Sequence, residues 1–389
     1  MLFVTAPTAW GGAEVNTAHL IITLLDRGNR VFLLEVGAGY LADALDSSHY
    51  GFATEAIAPD SPNLRSVRWW RDLLIRVGGD ITVLAKPWVH TRFPALDRAI
   101  LFSRQPYAII EHHPAITGVY DRTDLGHRSM RSMLADRWGL SRQWLQRLAR
   151  TELLCVSETT RSALERFEGL GKTRSQVIHP GIDTAEFYPD PVGRATVRER
   201  LGIPTTAAVV GIMGRVEPSK RPDLALRAFA AVRRQRKAGD LRFVCVGEGA
   251  GTGDLKALSH ELNITEACHF PGLVPNDERR AYLAAIDCLL STSELEGLGM
   301  VLLEAMAVGC LVVATDSGGP AEIITEERYG WLVPQHDPPA LERALGDALD
   351  LNGGARASRA DPARARVQTH FDARRQNTKM AEVIERLGH

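Results

Sequence analysis

The chain has 389 residues, of which 45% are apolar and 24% are charged, a composition typical of a folded globular protein. Because a single hydrophobic core rarely grows beyond about 250–300 residues, this length predicts two domains. The formal net charge of −1 provides no overall field for a polyanion, so nucleic acid is not expected as a partner.

The cysteines and the N-terminal segment indicate the compartment. The five cysteines have no C-x-x-C spacing, which argues against zinc and disulfide frameworks and predicts buried, reduced thiols in a cytoplasmic protein. The first twelve residues lack the basic region and the long apolar stretch of a signal peptide. No run reaches the ~18 apolar residues of a membrane span, so contact with the inner face of a membrane is the most that is expected. The cysteines are Cys155, Cys245, Cys268, Cys288 and Cys310.

The first half of the chain alternates between strand and helix patterns. Apolar residues from Val15 to Leu25 recur at helical spacing, with Gly28 as the predicted stop and Ser157 as the predicted cap of a helix over 158–167. Strand–helix–strand order predicts a parallel sheet, so residues 1–185 are expected to form a Rossmann-like, doubly wound domain. Its strands are predicted at 2–6, 30–36, 81–85, 108–110, 153–156 and 176–178.

A second alternation of strand and helix patterns follows a change in composition. Residues 186–206 carry prolines and charges with little apolar periodicity and are interpreted as a linker. Residues 207–366 predict a second Rossmann-like domain, and residues 367–389 predict a terminal helix that packs back toward the first domain. The expected fold is α/β, with two doubly wound domains facing across a cleft and ligands outside the carboxyl ends of the strands. Strands are predicted at 207–213, 241–246, 267–270, 288–291 and 311–314.

The clearest candidate site is the stretch 291–307, which leaves a strand, crosses a glycine-containing loop and enters a helix. Gly297 and Gly299 allow close backbone approach, and the unpaired N–H groups at the helix start suit a diphosphate or sugar hydroxyls. Glu304 on the helix could accept both hydroxyls of a ribose, and Glu296 in the loop could reach a hexose. The alternative is that both glutamates are solvated surface charges.

Two further stretches suggest anion binding. Arg215 and Lys220 follow the strand at 207–213, where they would neutralise the charge on a departing diphosphate, although they could also be ordinary surface cations. Gly11 and Gly12 follow the first strand and would let backbone amides approach an anion, although a glycine pair also makes a plain turn. No G-x-G-x-x-G fingerprint follows that strand, so no dinucleotide cofactor is expected.

A histidine pair lies at the end of the strand predicted at 108–110. Because ligands bind at the carboxyl ends of such strands, His113 is predicted to hydrogen-bond a sugar hydroxyl or a backbone carbonyl near the anomeric centre, with His112 as second choice. A structural histidine remains the alternative. A metal pair is not expected, because no carboxylate or cysteine lies at a suitable spacing.

These stretches, with 177–183 (VIHPGID) and 318–323 (GGPAEI), resemble the large family of retaining GT-B glycosyltransferases that includes bacterial mannosyltransferases and sucrose-phosphate synthase. The resemblance places the family's E-x7-E glutamates on Glu296 and Glu304. Its loop usually reads E-G-F-G-x-P, whereas Leu298 and Val301 replace the aromatic residue and the proline here. The other positions that the resemblance implies are the phosphate pair Arg215 and Lys220, the N-terminal glycines Gly11 and Gly12, the donor loop Gly297–Gly299, and the active-site residue His113.

The resemblance also implies an activity. A sugar would move with retention from a nucleoside diphosphate sugar to an acceptor in the N-terminal domain, with neither a cofactor nor a metal. An epimerase and an inactive nucleotide-binding relative stay open, as do the base, the sugar and the acceptor, which could be a glycan, a lipid-linked molecule or a small molecule. Basic stretches with tryptophans at 65–76 and 128–150 predict contact with an anionic membrane, or else ordinary surface helices with inward tryptophans.

Overall fold

A computed structural model of the chain describes residues 1–5, 12–36, 53–58, 60–78, 80–85, 106–111, 151–168, 175–236 and 241–388, together with positions 41, 45, 95, 96 and 99. The chain divides into two compact units. Unit 1 comprises Met1–Pro180 and Ala373–His389, and unit 2 comprises Gly181–Asp372.

Unit 1 contains a seven-stranded parallel sheet in the order β3-β2-β1-β4-β5-β6-β7. The strands are β1 (Leu2–Thr5), β2 (Phe32–Val36), β3 (Ala53–Ile57), β4 (Thr82–Ala85), β5 (Tyr107–Glu111), β6 (Thr151–Cys155) and β7 (Ser175–Val177). The helices described in this unit are α1 (Gly12–Asp26), α2 (Val67–Val77), α3 (Glu158–Glu168) and α12 (Ala373–Leu387).

The two faces of this sheet carry separate cores. Val4 packs in the same core as Trp70 of α2, whereas Phe3 packs in the core that contains residues of α1 and α12. An ion pair of 2.6 Å between Arg27 Nη2 and Glu385 Oε2 fixes α12 beside α1. The last helix of the chain therefore completes unit 1, although it follows unit 2 in sequence.

Unit 2 contains a six-stranded parallel sheet in the order β10-β9-β8-β11-β12-β13. The strands are β8 (Ala208–Met213), β9 (Leu241–Val246), β10 (Cys268–Gly272), β11 (Cys288–Ser291), β12 (Leu311–Thr315) and β13 (Trp331–Val333). The helices are α4 (Pro191–Arg200), α5 (Pro222–Arg234), α6 (Thr252–Glu261), α7 (Arg279–Ala285), α8 (Met300–Ala307), α9 (Gly319–Ile323), α10 (Pro338–Asp350) and α11 (Gly353–His370).

The central strands of unit 2 are apolar on both faces because helices cover both sides of the sheet. Val209 and Leu289 belong to one core, and Val210 and Leu290 belong to the other. The strand order reverses between β8 and β11, so the carboxyl ends of these two strands define the topological switch point of unit 2.

The strand and cap predictions agree with the structure in most places. The eleven predicted strands correspond to β1, β2, β4–β12 within a few residues, and Ser157 Oγ accepts from the N–H of Thr160 at 3.0 Å as the predicted cap of α3. The prediction missed β3 and β13. Both are edge strands: β3 exposes most of its residues, and β13 has only three residues, so neither has a buried apolar pattern.

The segment interpreted as a linker belongs to unit 2. Within 186–206, α4 packs against the unit through Arg194 and Arg198, each of which donates to the Asp287 carboxylate at 2.7 Å. The boundary between the units falls at residues 180 and 181 rather than at 185. The sequence pattern concealed this packing because Val197 is the one apolar residue that α4 buries, and the rest of the packed face is formed by charged side chains.

The cysteine prediction also fits the structure. All five thiols are free, and only Cys268 is partly exposed. Burial raises the pKa of the Cys245 thiol to about 12, which makes this group unreactive near neutral pH.

The basic stretch at 65–76 contains α2, whose tryptophans do not both face outward. Trp70 is fully buried and donates its Nε1–H to the carbonyl of Leu64 at 3.0 Å, as the inward alternative predicts. Ile75 is 70% exposed, with Arg68 and Arg71 also at the surface. The stretch 128–150 lies outside the described residues, and within the described part of the chain no helix is both long and apolar enough to cross a bilayer.

Candidate functional site

Three loops of unit 2 meet at the carboxyl edge of the sheet, at the switch point. The N–H of Glu294 donates to the carbonyl of Ser219 at 3.0 Å, and Thr292 Oγ1 donates to the Lys220 carbonyl at 3.1 Å. The N–H of Glu296 donates to the Ser317 carbonyl at 3.0 Å, which ties in the third loop. These three segments, 214–221, 292–299 and 316–318, are called the site loops below.

An ion pair lies at the junction of the first two site loops. Lys220 Nζ is 2.6 Å from Glu296 Oε2, and Ser293 Oγ donates to the same oxygen at 3.0 Å. The Lys220 and Glu296 side chains are 27% and 17% exposed, so the pair is partly shielded from water while remaining within reach of a ligand. The fold therefore brings the predicted loop glutamate and one predicted phosphate-binding cation into direct contact.

Glycines shape the backbone beside this pair. Gly299 precedes α8 with φ 100° and, having no side chain, provides no cap for the first N–H groups of the helix. A Cβ on Gly319 would lie 2.3 Å from Leu298 Cα, so only glycine fits there. Gly297 has no positive φ, and Leu298 is 3% exposed with its side chain in the core. Leu298 can therefore offer a ligand only its backbone.

Glu304 is a buried carboxylate rather than a solvated surface charge. It is 7% exposed on α8 and accepts a hydrogen bond at Oε2 from Nη2 of Arg279, the first residue of α7. Burial raises the pKa of Glu304, and the charge and hydrogen bond of Arg279 oppose this only in part. Nε of Arg279 is buried and, within the described residues, has no hydrogen-bond partner.

Arg215 stands apart from the Lys220–Glu296 pair. Its side chain is 53% exposed, and Nη1 donates to Glu217 Oε1 at 2.8 Å. Both arginine and lysine belong to the same site loop, but among the described residues no hydrogen bond or ion pair joins Arg215 to Glu296. Its charge is engaged locally and lies closer to solvent.

The predicted residues of unit 1 are only partly described. Gly12 is the first residue of α1 and follows β1 along the chain. Gly11, His112 and His113 lie outside the described residues.

Three residues at this edge escaped the sequence prediction. Thr292 and Ser293 directly follow β11, and hydroxyls at the carboxyl end of a central strand are a signal that could have identified them. Arg279 lies 25 residues before Glu304, and nothing in the local sequence connects the two. Their contact arises only when α7 packs beside α8.

Two protein-family models match the chain, one in each half. Residues 10–186 match Glycosyltransferase Family 4, and residues 193–366 match Glycosyl transferases group 1. The second match contains all three site loops, with Arg279 and Glu304.

Similar curated proteins align with part of the chain. D-inositol 3-phosphate glycosyltransferase from Streptomyces scabiei is 36% identical over 181 residues, which is 45% of this chain and 40% of the relative. A GDP-mannose-dependent alpha-(1-6)-phosphatidylinositol monomannoside mannosyltransferase from Mycolicibacterium smegmatis is 34% identical over 219 residues, 54% of this chain and 53% of that relative. These alignments cover about half the length of each relative.

Solved structures show that the fold extends over the whole chain. HepE from Anabaena, in complex with UDP and glucose, has a TM-score of 0.80 at 19% identity and covers 99% of both chains. Sucrose-phosphate synthase from Thermosynechococcus elongatus has a TM-score of 0.76 at 18% identity and covers 99% of this chain and 98% of its own. With two parallel-sheet units and a glycosyltransferase match on each half, this chain belongs to the GT-B glycosyltransferases.

Proposed function

We propose that the chain is a retaining glycosyltransferase that transfers a sugar from a nucleoside diphosphate sugar to an acceptor, with no bound metal or cofactor. The observation that carries the proposal is the Lys220–Glu296 pair at the switch point of unit 2, beside the glycine-lined start of α8. A cation, a carboxylate and the N–H groups of a helix start at one sheet edge suit a diphosphate joined to a sugar.

The charges fit the departure of a nucleoside diphosphate. When the bond to the sugar breaks, negative charge builds on the diphosphate, and Lys220, Arg215 and the start of α8 would stabilise it. Lys220 has three N–H donors and uses one on Glu296, so it can bind phosphate oxygens without leaving its partner. Glu296 would then interact with the sugar and its developing positive charge. His113 would act with Glu296 on the sugar at its anomeric centre.

Glu304 would bind the ribose. Its buried carboxylate lies on α8, behind the site loops, and accepts hydrogen bonds but donates none when ionised. Vicinal hydroxyls supply the donors that such a group lacks.

The relatives narrow the panel of ligands to be tested. One relative is named a D-inositol 3-phosphate glycosyltransferase and another is named GDP-mannose-dependent, and HepE was solved with UDP and glucose. We infer that a nucleoside diphosphate hexose is the donor, and that an inositol phosphate should be among the first acceptors tried beside glycans and lipid-linked sugars.

The direct test is a thermal-shift panel of UDP-, GDP-, ADP- and TDP-sugars, followed by turnover with and without EDTA. A donor at a hundredfold excess over Kd should stabilise the protein by about 2.7 kcal/mol. Product NMR should show the anomeric configuration of the donor. Turnover without acceptor would indicate an epimerase, binding without turnover an inactive relative, and activity lost in EDTA and restored by Mn²⁺ a metal-dependent mechanism.

We also propose peripheral contact with an anionic membrane through the exposed side of α2. The residues that support this proposal are the exposed Ile75 and the neighbouring arginines Arg68 and Arg71. Trp70 does not contribute, because it faces the core. Flotation should recover more protein with anionic than with neutral vesicles, and Ile75→Ser with Arg68→Gln should remove the difference. Equal recovery of the unaltered protein with both vesicles would refute the proposal.

A further inference from the structure

The contact between α7 and α8 is built around one incompletely paired carboxylate. Arg279 donates to Oε2 of Glu304, and the described residues provide no other hydrogen bond to that carboxylate. An ionised carboxylate has about four acceptor positions, so a buried one with a single donor retains unused capacity.

We propose that Arg279 is a positioning residue for nucleotide binding, which holds one oxygen of Glu304 and leaves the other for the vicinal ribose hydroxyls of a nucleoside diphosphate. This inference rests on the proposed function, because it assigns the ribose of the same donor to Glu304. It adds a residue from another helix that lies outside the three site loops.

The charges around Glu304 explain why a positioning residue is needed. Burial disfavours the ionised carboxylate, and the carboxylate of Glu186 adds repulsion of the same sign. Arg279 supplies the opposing charge and raises the fraction of Glu304 that is ionised. Without Arg279 the carboxyl group would hold its proton to higher pH, and a protonated carboxyl group is a poorer acceptor for hydroxyl donors.

The geometry of the guanidinium supports the same role. Nη2 bonds to Glu304, whereas the neighbouring Nε is buried and has no partner among the described residues. These two nitrogens share one edge of the planar group, so an acceptor that reaches Nε lies beside the Glu304 carboxylate. A hydroxyl can donate to the carboxylate and accept from an N–H, which makes a ribose hydroxyl suited to this place.

The experiment compares two nucleotides across four proteins by calorimetry. The probe is whichever of UDP, GDP and ADP binds the unaltered chain most tightly, with its 2′,3′-dideoxy analogue as partner. The variants are Arg279→Met and Arg279→Lys. The control is Arg280→Met, because Arg280 is the next residue on α7 but bonds to Asp190 and stacks on Tyr188.

Arg279→Met should weaken the ribonucleotide about tenfold to a hundredfold, the range for a hydrogen bond to a charged group, and should change the dideoxy analogue less than about twofold. Arg279→Lys keeps the charge and should recover part of the loss. Arg280→Met should bind both probes as the unaltered chain does.

The pH profile separates positioning from a general effect on structure. In Arg279→Met, ribonucleotide affinity should begin to fall at a higher pH than in the unaltered chain as the solution is acidified, and Arg279→Lys should shift the profile back.

Two results would overturn the inference. If Arg279→Met binds both probes as the unaltered chain does, or weakens both by the same factor, Arg279 does not act through the ribose. If Arg279→Met fails to fold, the ratio of ribonucleotide affinity to dideoxynucleotide affinity is measured in Arg279→Lys instead, and an unchanged ratio there overturns the inference. If none of the three nucleotides binds the unaltered chain, the proposed function fails as well, so the two failures are distinguishable.

Discussion

Two carboxylates of unit 2, one before β11 and one on α8, have opposite surroundings. Asp287, just before the strand, accepts from Arg194, Arg198 and the N–H of Val209. Although burial alone would raise the pKa of Asp287, the arginines and hydrogen bonds hold it below its ordinary value. Glu304, on α8, accepts from one donor among the described residues, and burial keeps the pKa of Glu304 above its ordinary value.

The comparison separates charges that hold the fold from charges that are available to a ligand. A carboxylate that already accepts from three donors, as Asp287 does, has little acceptor capacity left, and its removal leaves the cations around it without their counter-charge. An incompletely paired buried carboxylate destabilises the free protein slightly and gains partners when a ligand brings hydrogen-bond donors. The following predictions test this distinction, beginning with the largest expected effect.

Asp287→Ala should lower the free energy of unfolding of unit 2 by about 3–5 kcal/mol, because Arg198 is 4% exposed and would lose its counter-charge. Urea unfolding measures the change. Asp350→Ala is the matched control, since it removes an ion pair to Arg236 at a 70% exposed aspartate and should cost about 1 kcal/mol or less. Equal losses in the two variants would contradict a structural role for the Asp287 cluster.

Lys220→Met should lower kcat by about 10²–10³, the loss seen when one preorganised donor to a developing anion is removed. The free energy of unfolding should change little, because both members of the pair with Glu296 are partly exposed. Arg215→Met should also lower kcat, but less, since Arg215 is 53% exposed. Lys256→Met, outside the site loops on α6, should retain full turnover; a Lys220 variant as active as this control would remove the phosphate assignment.

Glu304→Ala should weaken nucleoside diphosphate binding by about 1.5–3 kcal/mol, because the ribose hydroxyls lose a charged acceptor. The fold should persist, as Arg279 is 24% exposed and can reach solvent. Calorimetry with UDP, GDP and ADP measures the affinity, and unchanged binding of the tightest nucleotide would refute the ribose assignment. Glu261→Ala, at the end of α6 and outside the site loops, serves as a control and should leave nucleotide binding unchanged.

The pKa directions predict two separate acid transitions. Because the pKa of Glu304 is raised, nucleotide affinity should fall as the pH drops through a range above the ordinary glutamate value of 4.5. In the free protein the same shift makes Glu304 lower stability as the pH rises through that range. The pKa of Asp287 is lowered, so its stabilisation is present above 3.8 and is lost below that value. If nucleotide affinity and the stability of the fold were lost at the same pH, the distinction between Glu304 and Asp287 would be contradicted.

The sequence by itself determined most of the strands and helices, and the polar side chains that directly follow the central strands. Buried central strands such as β8 and β11 are continuous apolar runs, and the polar residues after them mark the carboxyl edge of a parallel sheet. Glu296 and Lys220 could therefore be proposed for one site before their contact was known. The resemblance to the GT-B family rests on the same stretches.

Only the tertiary structure decided which charges meet and which remain available. The Lys220–Glu296 contact spans 76 residues, and the contact between Arg279 and Glu304 joins two helices. The linker was misread because Arg194 and Arg198 hold α4 through Asp287, about 90 residues away in the chain. Hydrophobic periodicity reports which face of an element is buried, whereas the pairing of charges depends on distances between elements that no local pattern encodes.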